Sequence, residues 1–275
     1  MGRVLRYTFL SLAGAVTVLP FFFVVSHALK TYAETVTRVD PNPFSAEFWP
    51  ADPQWVNFAV AWATQDLGRA FFNTVLISIL TVTGVLATSA LAAYALAKLR
   101  FPGREALFSV ILVSLMIPDT VTLIPNFLVV SSLGWIDSLA ALTVPFMASG
   151  FAIFLLRQFF RQVPEALRET AALDGCSHLL ILRHVMLPLS RAPLFTVAFL
   201  ELLNSWNSLQ WPLVVTHTAT WRPISIALSR FITEAGPETQ LRMAGALIAM
   251  APLVLVYLFA QKQITDAVAA TGIKE

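Results

Sequence analysis

The sequence predicts an all-α integral membrane protein with about six transmembrane helices, and three observations carry that reading. The chain is 57% apolar and only 12% charged, with positive mean hydropathy, whereas about a quarter of the residues of a soluble domain are charged. Six apolar stretches, near residues 7–29, 71–97, 105–130, 138–156, 191–215 and 242–262, are long enough for a helix to cross the hydrocarbon, which takes roughly 20 residues. Gly, Pro and polar residues interrupt these stretches in a way that the two-residue alternation of a membrane barrel does not allow. At 275 residues the chain reads as one membrane domain, 1–275.

The first stretch follows Arg3 and Arg6 and resembles a secretion signal, but its apolar run is longer than a signal core and no small-x-small site follows His27. It reads as a retained first helix. Residues 30–69 form a connection marked by Asp40, Pro41, Asn42, Pro43, Pro50 and Pro53. Within it Trp55, Phe58, Trp62 and Leu67 share one face. A helix over 54–69 would therefore either lie in the membrane surface or pack on top of the bundle. In the third stretch Pro118 and Pro125 predict breaks. Residues 216–241, with Pro223, Glu234, Gly236, Pro237 and Glu238, form a second polar loop.

Lys and Arg placement sets the orientation. With the amino terminus inside, the inner segments hold Arg3, Arg6, Lys98, Arg100, Arg104, Arg157, Arg161, Arg168, Arg183, Arg191, Lys262 and Lys274, and the outer ones hold Lys30, Arg38, Arg69, Arg222, Arg230 and Arg242. Twelve cations against six put both termini and the loop 157–190 in the cytoplasm.

Residues 164–188, PEALRETAALDGCSHLLILRHVMLP, are a charged, helix-forming island between apolar stretches. Pro164 suits the first turn of a helix, Gly175 the left-handed position past a helix end, and Pro188 a stop. Two short helices joined at Gly175 must project into water and present a surface to another protein. Glu165 and Glu169, four apart, repel one another on one helical face, and an external cation would offset that cost.

The order E-x-A-x-x-D-G, nine residues, then V-x-L-P resembles the cytoplasmic EAA loop of ABC importer permeases. Glu169, Ala171, Asp174, Gly175, Leu187 and Pro188 stand at matching positions, while Thr170 and Val185 depart mildly from the pattern. AYALAKLRFPGR, MIPDTVTLIP, FLLRQFF and WNSLQWPLVV extend the resemblance to the carbohydrate branch, the maltose-type second permease subunit. The resemblance implies that 164–188 couples the chain, between its fourth and fifth spans, to separate ATPase subunits, with Glu165 and Glu169 facing them. It also implies a second homologous permease, two ABC ATPase subunits that hold ATP and Mg, and an extracytoplasmic solute-binding protein at the external loops. The tail TGIKE resembles a sugar-permease tail that reaches toward the ATPases.

Two acids, Asp119 and Glu201, lie within the spans, where a charge usually faces a cavity or a partner. Asp119, Thr122 and Asn126 recur at i, i+3 and i+7, and Glu201, Asn204, Ser205 and Ser208 at i, i+3, i+4 and i+7. Each set is either one wall of a translocation pathway or hydrogen-bonding glue against a partner helix. Trp206 and Trp211 flank the second stripe, as membrane-interface anchors or as platforms for a sugar ring. Tyr94 reads as a packing or lipid-facing side chain. His27, His178, His184 and His217 show no metal-ligand spacing, so no metal site is expected. Cys176, the single cysteine, excludes an internal disulfide.

No G-x-x-x-x-G-K-[ST] loop is present, so energy must come from other subunits, no cofactor is expected in this chain, and no nucleic-acid partner is indicated. The stripes are rich in acceptors and no Lys or Arg lies deep in a span. That suits neutral polyhydroxyl solutes over glycerol-3-phosphate or another anion, which would require cations. An ion-coupled secondary transporter would be expected to show paired internal repeats, and none is apparent.

Overall fold

Every element found among the described residues is helical, as backbone immersed in lipid requires. The computed structural model describes residues 2–37, 48–231 and 238–272. Asp40, Pro41, Asn42, Pro43, Arg38, Glu234, Gly236, Pro237 and Lys274 fall outside them, as does the end of the TGIKE tail. In chain order the helices are α1 (Gly2–Ala28), α2 (Tyr32–Thr37), α3 (Val56–Ala63), α4 (Leu67–Lys98), α5 (Arg104–Ser114), α6 (Asp119–Ser132) and α7 (Leu139–Thr143). They continue as α8 (Gly150–Gln162), α9 (Glu165–Leu173), α10 (His178–Ile181), α11 (Leu187–Leu189), α12 (Arg191–Asn207), α13 (Gln210–Val215), α14 (Ile224–Arg230) and α15 (Thr239–Gly272).

Three helices, over Val4–Ala28, Leu67–Lys98 and Thr239–Phe259, are each long and apolar enough to cross a membrane alone. Three bent pairs pass the same test together: Arg104–Ser114 with Asp119–Ser132 at 102°, Leu139–Phe146 with Gly150–Gln162 at 40°, and His178–Leu189 with Arg191–Asn207 at 85°. Counting each pair as one span gives six.

The breaks have local causes. Pro118, extended at ψ 140°, separates α5 from α6, and it has no N–H with which to continue the preceding helix. Pro125, expected to break the same span, lies inside α6 without ending it. The fifth apolar stretch is not one helix over 191–215. It stops at Asn207, and Ser208 is extended before α13 begins. The fourth stretch runs on to Gln162, so Arg157 belongs to a helix and the connecting loop begins at Val163, not at 157.

The chain divides into two compact units, Met1–Phe72 with Pro223–Leu255 and Asn73–Arg222 with Val256–Glu275. In the first, Ala28, Ala61, Phe231, Leu241 and Ala244 form one apolar core, and Leu67, Ala70, Ile224, Ala227 and Ala249 form another. In the second, α4 is the central support. The side chain of Met147 fills the space where a Cβ on Gly84 would stand, and the Thr88 hydroxyl donates to the Met147 carbonyl at 2.6 Å.

The same unit holds a core of Ile77, Val130, Ala141, Leu142, Trp211 and Val215. Trp211 is not an interface anchor. It is buried, donates its indole N–H to the Ala141 carbonyl at 2.9 Å and meets Phe146 edge-on. Asp137, left-handed at φ 60°, fastens two loops by accepting the backbone N–H groups of His217 and Thr218. Desolvation pushes the Asp137 carboxyl up, but the Thr218 and His217 hydrogen bonds outweigh it and hold the group below its usual range.

Candidate functional site

The island 164–188 folds as an elbow built by its own turn chemistry. Helix α9 starts one residue later than the sequence suggests, so Pro164 is the extended residue preceding it and not its first helical residue. At the other end Gly175 adopts φ +80°, a left-handed state that costs other L-residues about 1–2 kcal/mol. The Gly175 N–H donates to the Ala172 carbonyl and the Cys176 N–H to the Ala171 carbonyl, both at 3.0 Å. This is the Schellman arrangement, which satisfies carbonyls that a helix end leaves unpaired. Its usual apolar contact is present too, since Ala171 and Cys176 both pack on the core beneath.

The second arm runs from His178 to Leu189 and widens into a π turn over Leu182–Met186. Pro188 provides the reason: it has no N–H for the His184 carbonyl, and its ring crowds that carbonyl. The arm continues past Pro188 to Leu189 and turns 85° at Ser190 into α12.

The elbow is fastened to the far end of α4. Lys98, the last residue of α4, donates to the Val163 carbonyl at 2.7 Å and to the Glu165 carboxylate at 3.2 Å. Arg168 donates to the other Glu165 oxygen. One turn earlier on α4, the Tyr94 hydroxyl and His178 Nδ1 are hydrogen-bonded at 3.1 Å. Tyr94 is therefore a buried polar anchor and not a lipid-facing side chain. Beneath these contacts Ile181, Leu182 and Met186 of the second arm pack with Ala90, Ala93, Leu156 and Phe160. The cost of placing Glu165 near Glu169 is thus offset within the chain, by Lys98 and Arg168. The hydrogen bond from Arg168 is the largest influence on the Glu165 carboxyl; desolvation opposes it, and with the smaller contribution of Lys98 the group is held below its usual range.

The outer face of the elbow is uncovered. Glu169 and Asp174 are exposed and make no ion pair among the described residues. Leu173 is 89% exposed and Leu179 66%, an apolar surface flanked by acids and held rigidly from behind. Leu187 packs at the margin of the core, and Pro188 shapes the end of the second arm.

Beside the elbow lies a charge cluster that the sequence does not reveal. Arg157 on α8, 2% exposed, donates to both Glu105 carboxylate oxygens at 2.8 Å and to the Leu96 carbonyl at 3.1 Å. Its guanidinium lies 3.7 Å from the Phe108 ring centre. One side chain thereby joins the end of α4, the start of α5 and the middle of α8, and a neighbour, Arg104, donates to the Leu99 carbonyl. An arginine in an apolar run and a glutamate 52 residues away give no local signal of pairing.

The two polar stripes are placed differently. Asp119 is exposed in the first turn of α6, where the positive end of the helix favours an acid, and Thr122 donates back to its carbonyl at 3.0 Å. Asn126 follows on the same helix, half-buried. On α12 the stripe comprises Glu201, Asn204 and Ser205, with Ser205 hydrogen-bonded to Ser78 of α4 at 3.2 Å. Ser208 is the residue that closes α12, with φ −62° and ψ 122°. Trp206 is buried, 6% exposed, and offers no open ring face.

The sequence pattern of binding-protein-dependent transport system inner membrane components matches residues 84–269, a stretch that contains the elbow and both stripes. The chain is 35% identical over 199 residues to the sn-glycerol-3-phosphate transport system permease protein UgpE of Agrobacterium fabrum, covering 72% of this chain and 71% of that one. It is 33% identical over 239 residues to the arabinooligosaccharides transport system permease protein AraQ of Halalkalibacterium halodurans, covering 86% of both. Its fold is similar to a chain in the crystal structure of a bacterial ABC transporter involved in the import of the acidic polysaccharide alginate. The TM-score is 0.83 at 23% identity, over 94% of this chain and 95% of that one. The chain belongs to the binding-protein-dependent transport system inner membrane components, the membrane-embedded permease subunits of ABC importers.

Proposed function

We propose that this permease imports a sugar, oligosaccharide or polyol in an ATP-driven complex with a second homologous permease, two ABC ATPase subunits and an extracytoplasmic solute-binding protein. ATP and Mg are held by the ATPase subunits. The amino and carboxyl termini and the 164–188 elbow are cytoplasmic, and the chain crosses the inner membrane six times. The observation that carries this reading is the elbow: an exposed surface of Glu169, Asp174 and Leu173, fastened through Glu165 and His178 to the end of α4. A surface so anchored moves the spans when a partner moves it. Closure of the ATPases would push the elbow as a lever and tilt α4 and α12.

Asp119, Thr122 and Asn126 on α6 and Glu201, Asn204 and Ser205 on α12 supply hydrogen-bond acceptors to the pathway. Arg157, the arginine buried in the helix core, is occupied by Glu105 and cannot bind a phosphate. Acceptors on both helices, with Arg157 already paired, suit a neutral polyhydroxyl solute, whose hydroxyls need acceptors once stripped of water.

A phosphorylated polyol is the second reading, favoured by the resemblance to the glycerol-3-phosphate permeases; the partner permease would then contribute the cation. Uptake of radiolabelled sugars and of glycerol phosphate by the reconstituted complex separates the two. ATP-dependent accumulation of a neutral sugar or oligosaccharide supports the first reading, and accumulation of only the phosphorylated solute replaces it with the second. Uptake driven by a proton gradient without the ATPases would overturn both.

A further inference from the structure

We infer that α3 is a membrane anchor, lying in the lipid–water boundary, with phospholipid as its binding partner. The inference is independent of the solute and of the coupling mechanism.

The rotation of α3 is fixed from within. Asn57 and Ala61, one turn apart, face inward and are buried. The Asn57 side-chain amide donates to the Ala28 and Lys30 carbonyls, both at 2.9 Å, satisfying groups that the end of α1 leaves unpaired. The Gln54 N–H donates to the Leu29 carbonyl at 2.8 Å, and Ala61 packs in the core with Ala28. At its other end α3 runs through a single turn, Thr64–Asp66, into α4. There the ring of Trp62 stands over Gly68 and meets Phe71 and Phe72. Helix α3 is therefore tied at both ends to points where a span ends or begins, which sets its level in the membrane.

The opposite face carries Trp55, Val56, Ala59, Val60, Trp62 and Ala63, all exposed. Trp55 is 70% exposed and Trp62 38%, so this helix is not simply packed on top of the bundle. No charged side chain lies on this face; Asp52 and Asp66 stand beyond its two ends. The patch continues through Trp49, 48% exposed and edge-on to Phe22, onto the uncovered apolar surface of α1, whose spanning window is 0% buried.

Lipid is the occupant these features fit. A protein surface would be expected to offer hydrogen-bonding groups at roughly one per 100–200 Å², and this face has almost none outside its indoles. Tryptophan is enriched where its apolar ring and polar N–H can straddle the two phases. A short helix between two spans that turns one uncharged apolar face outward can bury that face at the boundary of headgroups and acyl chains.

The test is site-directed spin labelling of the complete transport complex in phospholipid nanodiscs. Ala59→Cys, and separately Val60→Cys, would be labelled in a Cys176→Ala background, and collisions measured with oxygen, which partitions into lipid, and with a water-soluble nickel chelate. Both labels are expected to favour oxygen over nickel and to report a depth at the headgroup–acyl boundary. Greater collision with nickel than with oxygen would show a solvated helix. Shielding from both reagents would show a protein partner on this face. Either result overturns the inference.

Discussion

The last residue of α4 is joined to the first residue of α9: the Lys98 ammonium lies 3.2 Å from the Glu165 carboxylate, and its side chain is 6% exposed. The contact makes the elbow an extension of α4, and not a tethered loop.

Removing the acid from this pair should matter more for coupling than for stability. Glu165 is 46% exposed, and pairs of this kind contribute about 1 kcal/mol or less. Glu165→Gln is therefore expected to leave expression and subunit assembly unchanged while lowering the ligand-stimulated part of ATP turnover. Lys98→Met should do the same and should also lose the bond to the Val163 carbonyl. Hydrogen exchange over 163–173 in the assembled complex checks both, and faster exchange is the expected result.

The same carboxyl sets an acid dependence. Arg168 first, and Lys98 second, hold it below the usual glutamate range. A lowered folded-state value gives stability that is fully present above the unfolded value and lost as the pH falls through the folded one. Protection of α9 against hydrogen exchange should thus be insensitive to this group from neutral pH down to the ordinary glutamate range, and should weaken only below it. Scaled for the intrinsic pH dependence of exchange, wild type and Glu165→Gln should differ at neutral pH and converge in acid.

Arg157 and Glu105 should respond asymmetrically. Arg157 is 2% exposed and Glu105 62% exposed along their side chains. Glu105→Ala removes the carboxylate from a buried guanidinium and leaves it only the Leu96 carbonyl and the Phe108 ring. Arg157→Met leaves the carboxylate free to hydrate and puts apolar volume into an apolar site. Thermal unfolding of the purified permease should show the larger loss for Glu105→Ala.

At Gly175 backbone conformation dominates, because an added Cβ would meet nothing within 4 Å while φ is +80°. Gly175→Asn should be tolerated best, since asparagine visits the left-handed region. Gly175→Ala should cost about 1–2 kcal/mol, and Gly175→Val more. The order of subunit retention on purification, Asn above Ala above Val, checks this.

Much of the elbow was legible because turn chemistry is local. Gly175 needs only its own backbone and its neighbours to end a helix, and Pro118 breaks its span on the same grounds. Trp211 was misread because a tryptophan near the end of an apolar stretch looks the same whether it faces lipid or bonds Ala141. Arg157, at the edge of an apolar stretch, reads as a loop cation in the sequence because its partner Glu105 belongs to another helix. Helix pairing of that kind is a tertiary fact that no window along the chain contains.

The central claim is that the outer face of the elbow receives the force of ATP hydrolysis, and Glu169 tests it most directly. Its carboxylate is exposed and makes no ion pair among the described residues; within the chain a lysine there would trade an attraction to Arg168 for one to Glu165, so the fold is expected to stay intact while the charge a partner meets is reversed. The measurement is ATP turnover by the assembled complex, with and without solute-loaded binding protein, for wild type and Glu169→Lys at equal subunit content. Like charges brought together across an interface cost several kcal/mol, so the stimulated turnover of Glu169→Lys is expected to fall by about tenfold or more. Stimulated turnover equal to wild type would contradict the account.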